Sequence, residues 1–89
     1  MPFSRTFAAL SDPNRQKILA SLKKSELPVS EIAKNLDITM ATLSHHLDIL
    51  RRAGLVSSRR VGRQIFYELN LSVAEELMEG LAKMFKINK

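Results

Sequence analysis

At 89 residues, 45% hydrophobic and 26% charged, the chain has room for one globular domain with one core. It has no cysteine, which excludes disulfides, thiolate metal ligation and thiol redox chemistry, and no apolar run long enough to cross a bilayer. Fourteen Lys and Arg outweigh nine Asp and Glu to give a net charge of +5, and the excess is local. Arg51, Arg52, Arg59, Arg60 and Arg63 fall within residues 51–63 with no acid among them. Arginine presents a planar fork of donors that matches phosphate oxygens and the edge of guanine. The opening Met1-Pro2-Phe3-Ser4-Arg5 lacks the apolar stretch of a signal peptide, so the expected location is cytoplasmic.

Along the chain, Phe3, Phe7 and Leu10 recur at i, i+4 and i+7 and predict a helix over residues 3–10. Asp12 is a natural N-cap for a second helix, and Pro13 fits its first position, where a missing N–H costs nothing. That helix is expected to turn Ile18, Leu19 and Leu22 inward and Arg15, Lys17, Lys23 and Lys24 outward, ending before Pro28. Ser30 is expected to cap a third helix running through Leu36. After a tight turn at Asp37-Ile38, Thr39 caps a fourth helix over residues 40–53, and Gly54 supplies its left-handed stop. Two helices joined by so short a turn form a helix-turn-helix, here residues 30–53.

The apolar period then changes from 3.6 to 2. Residues 55–60 and 64–69 read as two strands joined by Val61-Gly62-Arg63, with Gly62 free to take positive φ, and make a wing over residues 55–69. A last helix starts after Asn70 or Ser72 and spans residues 72–86. The whole is expected to be a mainly α winged helix-turn-helix with a β-hairpin and about five helices. Its order is α-α-α-α-β-β-α, in a single domain over residues 1–89.

On a helical wheel Leu43, Leu47 and Leu50 form the buried stripe of the fourth helix. Small and polar residues fill the opposite side of its first turns, as entry into a major groove requires. Thr42, Ser44 and His45 are the candidate base contacts, with Thr39 and Met40 near phosphates and Arg52 further along. His46 falls at the edge of the core, where packing plus a hydrogen bond to backbone or to the next helix is favoured over base contact. On the wing, Arg59, Arg60 and Arg63 are candidates for the backbone or a narrow minor groove, against the alternative of a charge-guarded edge strand.

Other chemistry is poorly served. Adjacent His45 and His46 point about 100° apart on a helix and do not chelate one ion. Ser44, His46 and Asp48 share the letters of a hydrolase triad but lie on one helix, with no second element to align them. No enzyme activity, cofactor or metal site is therefore expected. The last helix spreads its apolar residues wider than one core-facing stripe. Phe3, Phe7, Leu77, Leu81, Met84 and Phe85 are the candidate dimerisation residues, and the alternative is a helix docked on its own core. Double-stranded DNA and a second copy are the expected partners. The competing reading is a winged helix that meets an acidic protein.

Leu10-Ser11-Asp12-Pro13-Asn14-Arg15, Ser30-Glu31-Ile32-Ala33, Ser44-His45-His46-Leu47 through Arg52-Ala53-Gly54-Leu55-Val56, and Gly62-Arg63 through Tyr67 with Leu69-Asn70 together resemble the ArsR family. The resemblance spans nearly the whole chain and is nearest to the short, metal-free autorepressors of that family. It implies a dimer made by the first and last helices, repression by occupying promoter DNA, and relief by a membrane-bound partner that sequesters the repressor. Metal-sensing members carry a cysteine pair where Pro28 and Ser30 stand here, and others place Asp and His ligands on the last helix, where this chain has Glu75, Glu76 and Glu79.

Overall fold

The structure, a computed structural model, describes residues 4–85. Its elements are α1 (Ser4–Leu10), α2 (Pro13–Ser21), β1 (Leu27–Pro28), α3 (Val29–Ala33), α4 (Met40–Arg52), β2 (Val56–Val61), β3 (Gln64–Leu69) and α5 (Leu71–Met84). The expected winged helix-turn-helix is present, with one strand more than the sequence pattern showed. Phe3 lies outside the described residues.

Local chemistry sets the helix ends. Asp12 has extended backbone angles, and its Oδ1 accepts the backbone N–H of Asn14 at 2.7 Å and of Arg15 at 3.2 Å, with Pro13 following as the first helical residue. Thr39 starts α4 in the same way, its Oγ1 accepting the Thr42 N–H at 3.1 Å. At the other end of α4, Gly54 takes φ +79°. Its N–H reaches the Arg51 carbonyl and the Leu55 N–H reaches that of Leu50, each at 3.0 Å. These two bonds close the left-handed stop that a glycine tolerates best.

Two expectations need correction in α3. It begins at Val29 with Pro28 in the N-cap position and no side-chain cap, so Ser30 lies inside the first turn and is exposed. Pro28, extended at φ −73° and paired in the sheet, delivers the chain to the helix two residues earlier than a Ser30 cap would. The helix also ends at Ala33 rather than Leu36. The N–H groups of Asn35 and Leu36 reach the carbonyls of Ile32 and Ala33, three residues back, so tighter turns replace the helical ladder.

The sheet is antiparallel in the order β1-β3-β2. Strands β2 and β3 pair from Val56 with Leu69 to Val61 with Gln64, leaving Gly62-Arg63 as a two-residue turn. Gly62 has φ +61° and open space around it, so it is the backbone angle, not crowding, that asks for glycine. Leu27 and Pro28 pair with Tyr67 and Phe66. Two residues carry no period, and a proline enters a sheet only at an edge, which is where this one sits.

The core joins Ala9 of α1, Ile18 and Leu22 from α2 and its end, Ile32 of α3, Leu43, Leu47 and Leu50 of α4, and Leu55 and Val56 at the wing. Helix α5 makes only sparse close approaches to the other elements and meets the core through Val73.

Burial pushes the Asp12 carboxyl up, but its two backbone N–H donors, with the charge of Arg15 beside it, outweigh that and hold it below its ordinary value. A carboxylate lowered on folding stabilises above its unfolded value, and the contribution is lost as pH falls through the folded one. Asp12→Ala is therefore expected to lower the melting temperature at pH 7, with the gap to the parent closing below about pH 4. Melting curves from pH 7 to pH 2 check this, and a gap that does not narrow with acid contradicts it.

Candidate nucleic-acid interface

The leucine stripe that buries one face of α4 fixes what the opposite face shows. Thr39, Met40, Ala41, Thr42, Ser44 and His45 are exposed, Met40 by 56%, and Arg52 is exposed near the helix end. The Thr39 hydroxyl donates to Thr42 Oγ1 at 3.0 Å, which leaves the Thr42 O–H free to donate outward. The start of this face therefore offers hydroxyls, an imidazole and a thioether, with no acid among residues 39–47.

The arginines of residues 51–63 divide into two kinds. Arg51 and Arg52 both pair with Asp48, at 2.8 and 2.9 Å. Arg59 grips Glu26 with two donors, Nε to Oε2 at 3.0 Å and Nη2 to Oε1, while its guanidinium lies 5.6 Å from the centre of the Phe66 ring. The Arg59 hydrogen bond holds the Glu26 carboxyl below its ordinary value, and the same bond raises Arg59. Arg60 and Arg63 make no ion pair or side-chain hydrogen bond among the described residues. The uncompensated charge of the wing thus sits at its tip. A cavity of about 370 Å³ separates wing from helix, bounded by Val29, Met40, Ser44, Leu47, Ile65 and Arg63 among others.

Several features escaped the sequence pattern. Arg15, placed outward by periodicity, folds back and bonds to the end of α1 and to His46. His46 is buried, 7% exposed, as its edge position called for, but its hydrogen bond comes from that arginine of α2 rather than from backbone or the next helix. The hold of Glu26 on Arg59 spans 33 residues, and nothing local announces it. Of the candidate dimerisation residues, Phe7 and Leu81 are half-buried, Met84 and Phe85 are exposed, and Leu77 is already buried within the protomer.

Residues 12–58 match the family described as bacterial regulatory protein, arsR family. The chain belongs to that family. It is 40% identical over 73 residues to the transcriptional repressor SdpR of Bacillus subtilis (strain 168), a match that covers 82% of this chain and 81% of the relative. It is 41% identical over 76 residues to a biofilm growth-associated repressor of Agrobacterium fabrum, covering 85% of this chain but 65% of that longer protein. Among solved structures, an ArsR-like transcriptional regulator from Rhodococcus sp. RHA1 superposes with a TM-score of 0.85 at 30% identity, over 96% of this chain and 80% of the other. The relatives are regulators rather than enzymes, and ArsR regulators bind double-stranded DNA and usually act as dimers.

A thiophilic metal does not fit the positions where metal-sensing members hold one. Pro28 is an N-cap without a donor, and Ser30 offers only an exposed hydroxyl. Glu75, Glu76 and Glu79 are all exposed on α5, and among the described residues no three His, Asp or Glu side chains converge. No helix among the described residues is long and apolar enough to cross a membrane.

Replacing Glu26 by Gln removes the acid that neutralises Arg59 beside the wing. Glu26→Gln is expected to tighten duplex binding and to steepen its salt dependence by up to about one unit, the slope of one added phosphate contact. Titrations of labelled duplex across a salt series check this, and an unchanged slope contradicts it.

Proposed function

We propose that the protein is a homodimeric, metal-independent transcriptional repressor that binds a palindromic operator. In this reading α4 enters the major groove, with Thr42, Ser44 and His45 toward base edges and Thr39 and Met40 beside phosphates. Arg60 and Arg63 reach the backbone or the minor groove from the wing, while Arg52 and Arg59 exchange their present acids for phosphate only at a cost. One observation carries the reading. Met40 and Ser44 at the start of α4 line the same cleft as the unpaired Arg63 of the wing, beside the apolar Val29, Leu47 and Ile65, so the start of the helix and that cation address a single ligand. Duplex DNA has the groove for the first and the phosphates for the second.

Self-association is supported by α5 and its C-cap, where Met78 and Phe85 are 69% and 68% exposed together with Leu71 and Met84, while Val73 and the buried Leu77 tie the helix to its own protomer. A twofold dimer built on this helix and α1 sets two copies of α4 about 34–36 Å apart, one turn of duplex. Repression is supported by the likeness to SdpR, whose match covers most of both chains.

Selection of bound duplexes from a random pool, with and without a chelator, tests the reading. An enriched palindrome that survives chelation is the expected outcome, and loss of Ser44 or His45 to Ala is expected to cost about 1–3 kcal/mol at particular base pairs. Arg60→Ala and Arg63→Ala are expected instead to weaken all sequences alike and to flatten the salt slope by about one unit each. Absence of enrichment would turn the reading toward an acidic protein partner, and loss with chelator would overturn metal independence.

A further inference from the structure

Helix α1 is seven residues long and ends in carbonyls that its own ladder does not satisfy. Arg15, on the first turn of α2, turns back over that end. Its Nε donates to the Ala9 carbonyl at 2.6 Å and its Nη2 to that of Ala8 at 3.2 Å. Its Nη1 reaches across to His46 Nδ1 on α4 at 3.0 Å. Gln16 reinforces the same end, Nε2 donating to the Leu10 carbonyl at 2.7 Å.

A guanidinium has donors only, so Nδ1 is the acceptor and the imidazole proton sits on Nε2, 3.9 Å from Asp12 Oδ1. Asp12 in turn accepts the backbone N–H of Arg15, which closes the ring of contacts. One planar side chain therefore fastens the end of α1 to the side of α4, within a residue or two of Ser44 and His45. The leucines that hold α4 from beneath attract without direction, whereas a guanidinium fork fixes both distance and angle.

We propose that Arg15 is a positioning residue for DNA recognition, locking α4 to α1 through His46 so that the two reading helices of the dimer are held at one separation and angle. The proposal rests on the dimeric reading above, in which α1 belongs to the interface. Loss of the joint leaves each protomer folded around its leucine core but lets α4 settle at more than one angle to the dimer axis.

The test is selection from a duplex library in which two half-sites are separated by varied spacers, using the full chain, Arg15→Gln, His46→Leu and His46→Asn. Dimer association and thermal unfolding are measured on the same samples. The Asn amide oxygen stands where Nδ1 does and still accepts from Arg15, whereas Leu does not. The parent is expected to prefer one spacer. Arg15→Gln and His46→Leu, as folded dimers, are expected to lose that preference and about tenfold in affinity at the parent's spacer, the order of one lost hydrogen bond to a charged group. His46→Asn is expected to keep the preference. A purely structural role would lower the melting temperature and leave the spacer preference intact, and that outcome overturns the proposal. So does His46→Asn behaving like His46→Leu, and should Arg15→Gln fail to fold, this pair decides alone. A parent chain that is monomeric, or selects no duplex, overturns the dimeric reading and the joint with it.

Discussion

The leucine stripe of α4 has to anchor the fold from one side of a helix whose other side must stay bare. Leu43, Leu47 and Leu50 are buried to within 2% and meet residues from α1, α2, α3 and the foot of the wing. Each such burial is worth ~1.5–3 kcal/mol, so the three together are comparable with the whole net stability of a small domain. Under the proposed function the reading helix is thus also the central beam of the core. That double duty explains the asymmetry of its composition, with branched apolar side chains beneath and hydroxyls, imidazole and arginine above.

Electrostatics follows the same economy of placement. The arginine run carries a large formal charge, yet Asp48 answers two of its members and Glu26 a third. Of that run, Arg60 near the end of β2 and Arg63 in the turn keep their charges unpaired among the described residues. Charge pairing therefore concentrates the field at a point rather than spreading it along the strand, and a polyanion meets that field beside the hydroxyls at the start of α4.

What could be read from the chain was whatever depends on near neighbours. Asp12, Thr39 and Gly54 act within three or four residues of themselves, and each behaves as its residue type dictates. The wheel of α4 placed both its leucines and the marginal His46, because a single regular helix transmits phase without outside help. The failures share a different cause. Strand β1 is two residues long and exists because β3 lies beside it, and Pro28 displaces Ser30 from the start of α3 because that same pairing aligns the chain. Arg15 points inward because the end of α1 needs donors, and Arg59 is held by an acid 33 residues away. These are decisions of tertiary structure with no local signature. Within the interface, the residue types were legible, but which arginines remain open was not.

The short pairing of Leu27 and Pro28 with Phe66 and Tyr67 has a mechanical meaning beyond completing a sheet. It ties the entry of the helix-turn-helix to the middle of the wing, with β3 bonded to β1 on one edge and to β2 on the other. The gap between the helix and the tip is then that of a caliper with fixed jaws. Under the proposed function a duplex that enters has to match that opening, and where its grooves are too wide or too narrow the deformation falls on the nucleic acid. Stiffness of the DNA, at base pairs that no side chain reaches, becomes part of what such a jaw measures.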